Sequence, residues 1–210
     1  MPVLNAVLVI TASYIIGAIP FGLIIGKIFK GIDIRKEGSG NIGAANAFRT
    51  LGMVPGSLVL IFDILKGVAA VYIASTFMPE NYAALFNVIA GLAAIIGHNN
   101  SIFLNFKGGK GIATSFGVFL ALNWKISLLV LLIYILMLLI TKYSSVGSLS
   151  ASAAMPVCMY VFRQPVEYTV FALLAAIFAF YKHKANIKRL IKGEELKVFG
   201  KKKEEPNGRN

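Results

Sequence analysis

Gly38-Ser39-Gly40-Asn41-Ile42-Gly43-Ala44-Ala45-Asn46-Ala47-Phe48-Arg49 can be read in two ways, and each gives a different fold. Gly38, Gly40 and Gly43 spell G-x-G-x-x-G, with Asp63 at about the spacing of the acidic residue in dinucleotide-binding units. That reading needs a strand ahead of the glycines and a βαβ unit in which Asp63 ends a strand. The sequence supplies neither. Long apolar runs flank the stretch on both sides, and Asp63 falls inside the second of them. The stretch is therefore a polar loop between membrane spans. Its glycines let backbone N–H groups come close to a ligand. Ser39, Asn41 and Asn46 offer neutral hydrogen-bonding groups, and Arg49 offers a planar fork of donors suited to phosphate. An anionic, oxygen-rich ligand at the bilayer surface is the expected partner.

The rest of the chain agrees with the membrane reading. Of 210 residues, 57% are hydrophobic and 14% charged, with a mean hydropathy of +0.75, far from a soluble domain. Apolar runs at 3–29, 53–78, 82–97, 110–122, 126–141, 148–163 and 166–181 predict an all-α integral membrane protein of seven transmembrane helices. The first run lacks a basic n-region and is too long for a cleavable signal peptide. The gaps after spans one, three and five, with the tail, hold Lys27, Lys30, Arg35, Lys36, Arg49, Lys107, Lys110, Lys142 and the basic residues from Lys182 onward. The opposite gaps hold only Glu80, Lys125, Arg163 and Glu167. The positive-inside rule then puts the N-terminus outside and the C-terminus in the cytoplasm. Residues 1–195 read as one transmembrane domain, and 196–210 as a charged tail too poor in apolar residues to order itself. The net charge of +12 sits in loops beside anionic lipid, and no nucleic-acid partner is expected.

Several polar residues have structural readings. Cys158 lies in an apolar run, where it reads as packing, and a single cysteine excludes an internal disulfide. Asp63 and Lys66 share a helical face inside span two and read as a structural ion pair. The two histidines and the few carboxylates lack ligand spacing, so neither a metal nor another cofactor is expected. Some sixteen residues of helix make about 24 Å, so spans three to six are short and the polar loops are expected to dip into a wet pocket.

Two further polar stretches follow on the same side as the first. Phe106-Lys107-Gly108-Gly109-Lys110-Gly111 reads as a phosphate cradle opening span four, with glycine N–H groups, two lysines and a helix N-terminus together. It is not a Walker A loop, since Leu104 stands where that pattern needs glycine and Gly111 where it needs Ser or Thr. Next come Ser145-Val146-Gly147-Ser148 after span five, and His183 and Asn186, three apart on one face beyond span seven.

Together with Gly97-His98 and with Ile187, Arg189, Leu190, Gly193 and Glu195, these motifs resemble the bacterial membrane acyltransferases that use acyl phosphate to acylate glycerol 3-phosphate, the PlsY family. The resemblance runs from span one to Glu195. It implies a seven-span helical fold with its motifs on the cytoplasmic face of the inner membrane. It also implies transfer of a fatty acyl group from acyl phosphate to the 1-hydroxyl of glycerol 3-phosphate, giving lysophosphatidic acid and phosphate. A partner enzyme would supply the acyl phosphate. The family usually has Thr at Ala45, Pro at Ser101 and an acid at Ala185, so this chain lacks one hydroxyl in its first loop.

On that reading Arg49, Lys107, Lys110 and the backbone of Gly108, Gly109 and Gly111 hold phosphate. Ser148, His183 and Asn186 orient the polyol, while Ser39, Asn41 and Asn46 shape the loop or bind the donor. The proton acceptor is either His183 or a phosphate oxygen, and the cations around His183 favour a positioning role for it. The His-x4-Asp pattern of acyl-CoA-dependent enzymes is absent, since Phe103 and Lys188 stand five after the two histidines. The competing class is a carrier or channel for organic phosphate anions, which would be expected to show an internal repeat. The sequence has no such repeat.

Overall fold

The structure, a computed structural model, describes residues 2–198, so most of the predicted tail lies outside the described residues. Every regular element among them is helical: α1 Pro2–Ala18, α2 Phe21–Lys30, α3 Ala44–Leu51, α4 Met53–Phe77, α5 Ala83–Asn99, α6 Ile112–Leu122, α7 Trp124–Thr141, α8 Ser144–Val161, α9 Val166–Lys182 and α10 Lys184–Ile191, with three short 3-10 turns. Val3–Lys30, Met53–Phe77, Glu80–Leu104 and Trp124–Thr141 are each long and apolar enough to cross a bilayer. The pair α9 and α10 qualifies only as one segment bent by 57°. The chain is thus a multi-pass helical membrane protein with four or five candidate spans by length and apolarity.

The departures from the expected spans have local causes. α1 stops at Ala18 because Pro20 cannot extend the hydrogen-bond ladder, and α2 resumes after it. α6 has 11 residues, about 16 Å of helix, shorter than a typical hydrocarbon core, so by length it falls outside the candidate spans. α8 begins at Ser144, so Ser145 to Ser148 form its first turns instead of a loop. α8 is also the serine-rich helix of the bundle, which lowers its apolarity.

Glycine sets the helix spacing. A side chain at Gly17 would strike the Ala94 backbone, one at Gly97 the Tyr14 carbonyl, and one at Gly67 the Thr114 carbonyl. α1 therefore lies on α5, and α4 on α6, at backbone contact, as small residues permit in membranes. The main apolar cluster joins α4 to α9 around Val118, Phe119, Ile126, Met155, Met159 and Phe171. The long polar connections before α3 and before α6, the two-residue link before α8 and the segment after α9 reach one end of the bundle, where they are tied together as described next. At the other end the links are only Met78 to Tyr82, Asn123 and Phe162 to Pro165.

Candidate active site

The first loop holds its shape through Asn46. This buried amide accepts from the Ser39 N–H at 2.9 Å and donates to the carbonyls of Ile34, Glu37 and Asn41. Its polar atoms are therefore used by the loop, and of the two roles open to it in the sequence Asn46 takes the structural one. Asn41 does similar work, accepting from the Gly43 N–H at 2.8 Å. The turn this makes requires left-handed backbone at Gly38 and Gly40, with φ of 57° and 71°. α3 starts at Ala44 immediately after, and it carries Arg49 to the mouth of a cavity.

The second loop departs from the expected phosphate cradle. The Gly108 and Gly109 N–H groups donate to the carbonyls of Asn99 and His98, at 3.1 and 3.0 Å. A side chain at Gly108 would hit the His98 carbonyl, and one at Gly109 its imidazole. These glycines thus let the loop lie flat on the end of α5, and their N–H groups are not available to a ligand. Lys107 is exposed, and none of the three lines the cavity. Lys110 and Gly111 do line it, together with Ile112 and Ala113 of the first turn of α6. The helix N-terminus and one lysine remain from the expected cradle.

Beneath that loop lies a buried polar cluster. Lys66 Nζ is 2.8 Å from Asp63 Oδ1, 2.7 Å from His98 Nδ1 and 3.3 Å from the Ile19 carbonyl. An ammonium donates only, so His98 Nδ1 accepts, and its proton is on Nε2 beside Gly109. The ion pair expected at Asp63 and Lys66 is present, with His98 as its third member, and it ties α4 to α5 under the Lys110 loop.

Opposite Lys110, the α9–α10 bend places His183 and Asn186 facing the cavity. Lys110 Nζ donates to Asn186 Oδ1. The Glu195 carboxylate accepts from three donors: Asn186 Nδ2 at 2.6 Å and Ser145 Oγ at 2.8 Å on Oε1, and Arg189 Nε at 2.7 Å on Oε2. Burial alone would raise the Glu195 carboxyl; the hydrogen bonds from Asn186, Ser145 and Arg189 outweigh it and hold the group below the usual range. Gly193 turns the chain with φ of 70°, so that the Leu196 and Lys197 carbonyls meet Arg49 at 3.3 and 3.4 Å. The Val198 N–H donates to the Lys142 carbonyl at 3.1 Å. Leu196 to Val198, assigned to the tail in the sequence, are therefore part of the mouth. The site selection from sequence omitted Ser145, Arg189 and Glu195. The available signal was a carboxylate beyond a turn-forming glycine in a chain with only nine Asp and Glu in 210 residues.

His183 Nδ1 donates to the Ala179 carbonyl at 2.7 Å, which leaves Nε2 as an acceptor. Burial, and then the charge of Lys110, push its pKa down to about 4. Burial likewise pushes Lys110 down to about 8, against the pull of Glu195. Ser148 is buried on the same wall, and Ser39 and Asn41 line the mouth. The cavity measures about 490 Å³ and continues from this polar end into an apolar arm between α6, α7, α8 and α9.

A helical membrane protein with a cavity that joins paired cations to an apolar arm is built to handle amphiphiles with an anionic head. The glycerol-3-phosphate acyltransferase family model matches residues 7–193. The glycerol-3-phosphate acyltransferase of Desulforamulus reducens is 44% identical over 199 residues, 95% of this chain and 98% of that one. That of Fusobacterium nucleatum is 46% identical over 188 residues, 90% of this chain and 95% of its own. Among solved structures, the glycerol 3-phosphate form of PlsY (YgiH), an integral membrane glycerol 3-phosphate acyltransferase, superposes with a TM-score of 0.86 at 35% identity, covering 93% of this chain and 96% of that one. Its lysophosphatidic acid form gives 0.84 at 34% identity, covering 93% and 95%. This chain belongs to the glycerol-3-phosphate acyltransferase family and is an acyltransferase.

Proposed function

We propose that the protein moves a fatty acyl group from acyl phosphate to the 1-hydroxyl of glycerol 3-phosphate. The observation that carries this is the continuity of the cavity: cations at the mouth for phosphate, an apolar arm for the chain, and the polar wall of Ser148, His183 and Asn186 where they meet. Arg49 and Lys110 bind phosphate, helped by the first-turn N–H groups of α6. His183 Nε2 accepts from the 2-hydroxyl and so orients the polyol. The 1-hydroxyl attacks the carbonyl carbon with its proton directed at a phosphate oxygen of the donor. The bond from that carbon to the phosphate oxygen breaks, and the hydroxyl proton departs on the released phosphate. A group titrating near pH 4 is a weak base at neutrality, so His183 positions the nucleophile.

His183→Ala is therefore expected to raise the KM for glycerol 3-phosphate about tenfold with a smaller loss of kcat. The wild-type profile should have no step near pH 6.5 attributable to His183. Loss of turnover at saturating substrate, in protein that still binds it, would instead make His183 the base. On the alkaline side, glycerol 3-phosphate affinity should fall as pH rises through about 8, where Lys110 loses its proton.

The proposed topology has seven spans, with the N-terminus outside and the site facing the cytoplasm of a bacterial inner membrane. The positive-inside asymmetry supports it, as does the meeting of all the motif loops at one end. Cysteines placed at Lys36, Asn105 and Ser144 should label only from the cytoplasmic side, and those at Asn81 and Gln164 only from outside. Opposite labelling at Asn105 and Ser144 would remove the shared face. The alternative of an organic-phosphate carrier predicts no product chemistry from purified protein in detergent, where the proposed transfer proceeds without a sealed membrane.

A further inference from the structure

The apolar arm ends at one packed layer to which four helices contribute. On α8 the lining positions run Ser148, Ala151, Ser152, Met155 and stop; Met159, next on that face, is sealed in the core. On α9 they run from His183 through Ala179 and Ala176 to Ala172. On α6 they end at Phe119, and on α7 at Val130. Phe119, Val130, Met155 and Ala172 are exposed by only 1–4% and belong to one packed cluster, with the Phe119 and Phe171 rings 5.1 Å apart behind them. Ser148 to Met155 is about 10 Å of helix and His183 to Ala172 about 16 Å, so the layer lies on the order of 10–16 Å beyond the reacting wall.

We infer that Phe119, Val130, Met155 and Ala172 form a floor that sets the acyl-chain length, with Met155 as its adjustable member. The inference rests on the proposed acyl donor. A chain entering from the reacting wall meets close-packed side chains at this level, and interiors at crystal-like density do not admit extra methylenes without displacement. Of the four, alanine has nothing to withdraw, valine is stiff at its branched carbon, and phenylalanine is held against a second ring. The unbranched thioether of Met155 can shift between rotamers. Ala151 sits one turn above it on the same face, where a larger side chain would raise the floor.

The test is kcat/KM over a series of saturated acyl phosphates, read as ratios within each preparation so that the folded fraction cancels. Each buried methylene is worth about fourfold. Met155→Ala should raise the ratio for a donor two carbons longer than the wild-type optimum about 5–15-fold. Ala151→Leu should move the optimum the other way, to shorter chains. The same variants should shift binding of non-reactive alkyl phosphates of graded length in the same directions. Wild-type length profiles in both variants, in turnover and in binding, would overturn the floor. Opposite shifts in alkyl phosphate binding without turnover from any acyl phosphate would uphold the floor and overturn the donor.

Discussion

Lys110→Met is expected to lower kcat/KM for glycerol 3-phosphate by about 10²–10³, the usual effect of removing one charged donor from a preorganised anion site. Lys110 stands at the N-terminus of α6 and faces the cavity, and its ammonium is held by Asn186, itself fixed by Glu195. The charge thus needs little reorganisation when a phosphate arrives. Lys107→Ala, three residues earlier, should change activity less than about threefold, because an exposed lysine outside the cavity contributes only screened attraction. Arg49→Lys should fall with Lys110→Met: the guanidinium already forks onto two carbonyls at 3.3 and 3.4 Å, long bonds that two phosphate oxygens can replace. Equal and mild effects at Lys107, Lys110 and Arg49 would mean that general surface charge, not a phosphate site, attracts the substrate.

The second large effect is on stability. Lys66→Met leaves the buried Asp63 carboxylate without its cation, a loss of about 3–5 kcal/mol in comparable buried pairs. The thermal midpoint in detergent should drop by on the order of 10 °C. Adding Asp63→Asn to the same chain removes the stranded charge and should recover part of the loss, which is the signature of direct coupling. Independent, additive losses would show that the two residues act separately. The cluster also underlies the Lys110 loop, since Gly109 rests on His98, so the single variant should raise the KM for glycerol 3-phosphate as well.

Much of this was legible in the sequence because it depended on local pattern. Apolar runs gave the membrane character, lysine and arginine placement marked one end, and the spacing of Asp63 from Lys66 gave their pairing. The residues that faced the wrong way were those whose partners are remote. Asn46 looks like a ligand until its amide is seen bonded to Ile34, Glu37 and Asn41. Gly108 and Gly109 look like a cradle, yet their N–H groups belong to the end of α5, a partnership that composition does not encode. Glu195 meets Ser145 across 50 positions, and Arg49 meets Leu196 across 147, distances over which no helical periodicity speaks. Span boundaries failed where polar residues sit inside a helix, as at the serine-rich start of α8.

The most direct measurement of the central claim uses purified protein in detergent with glycerol 3-phosphate and three donors in parallel: acyl phosphate, acyl-CoA and acyl carrier protein. Lysophosphatidic acid should form from acyl phosphate alone, with one inorganic phosphate released per ester made, and Lys110→Met should suppress both products together. Ester formation from either thioester with none from acyl phosphate, or phosphate release without ester, would contradict a cavity that holds an acyl phosphate beside glycerol 3-phosphate.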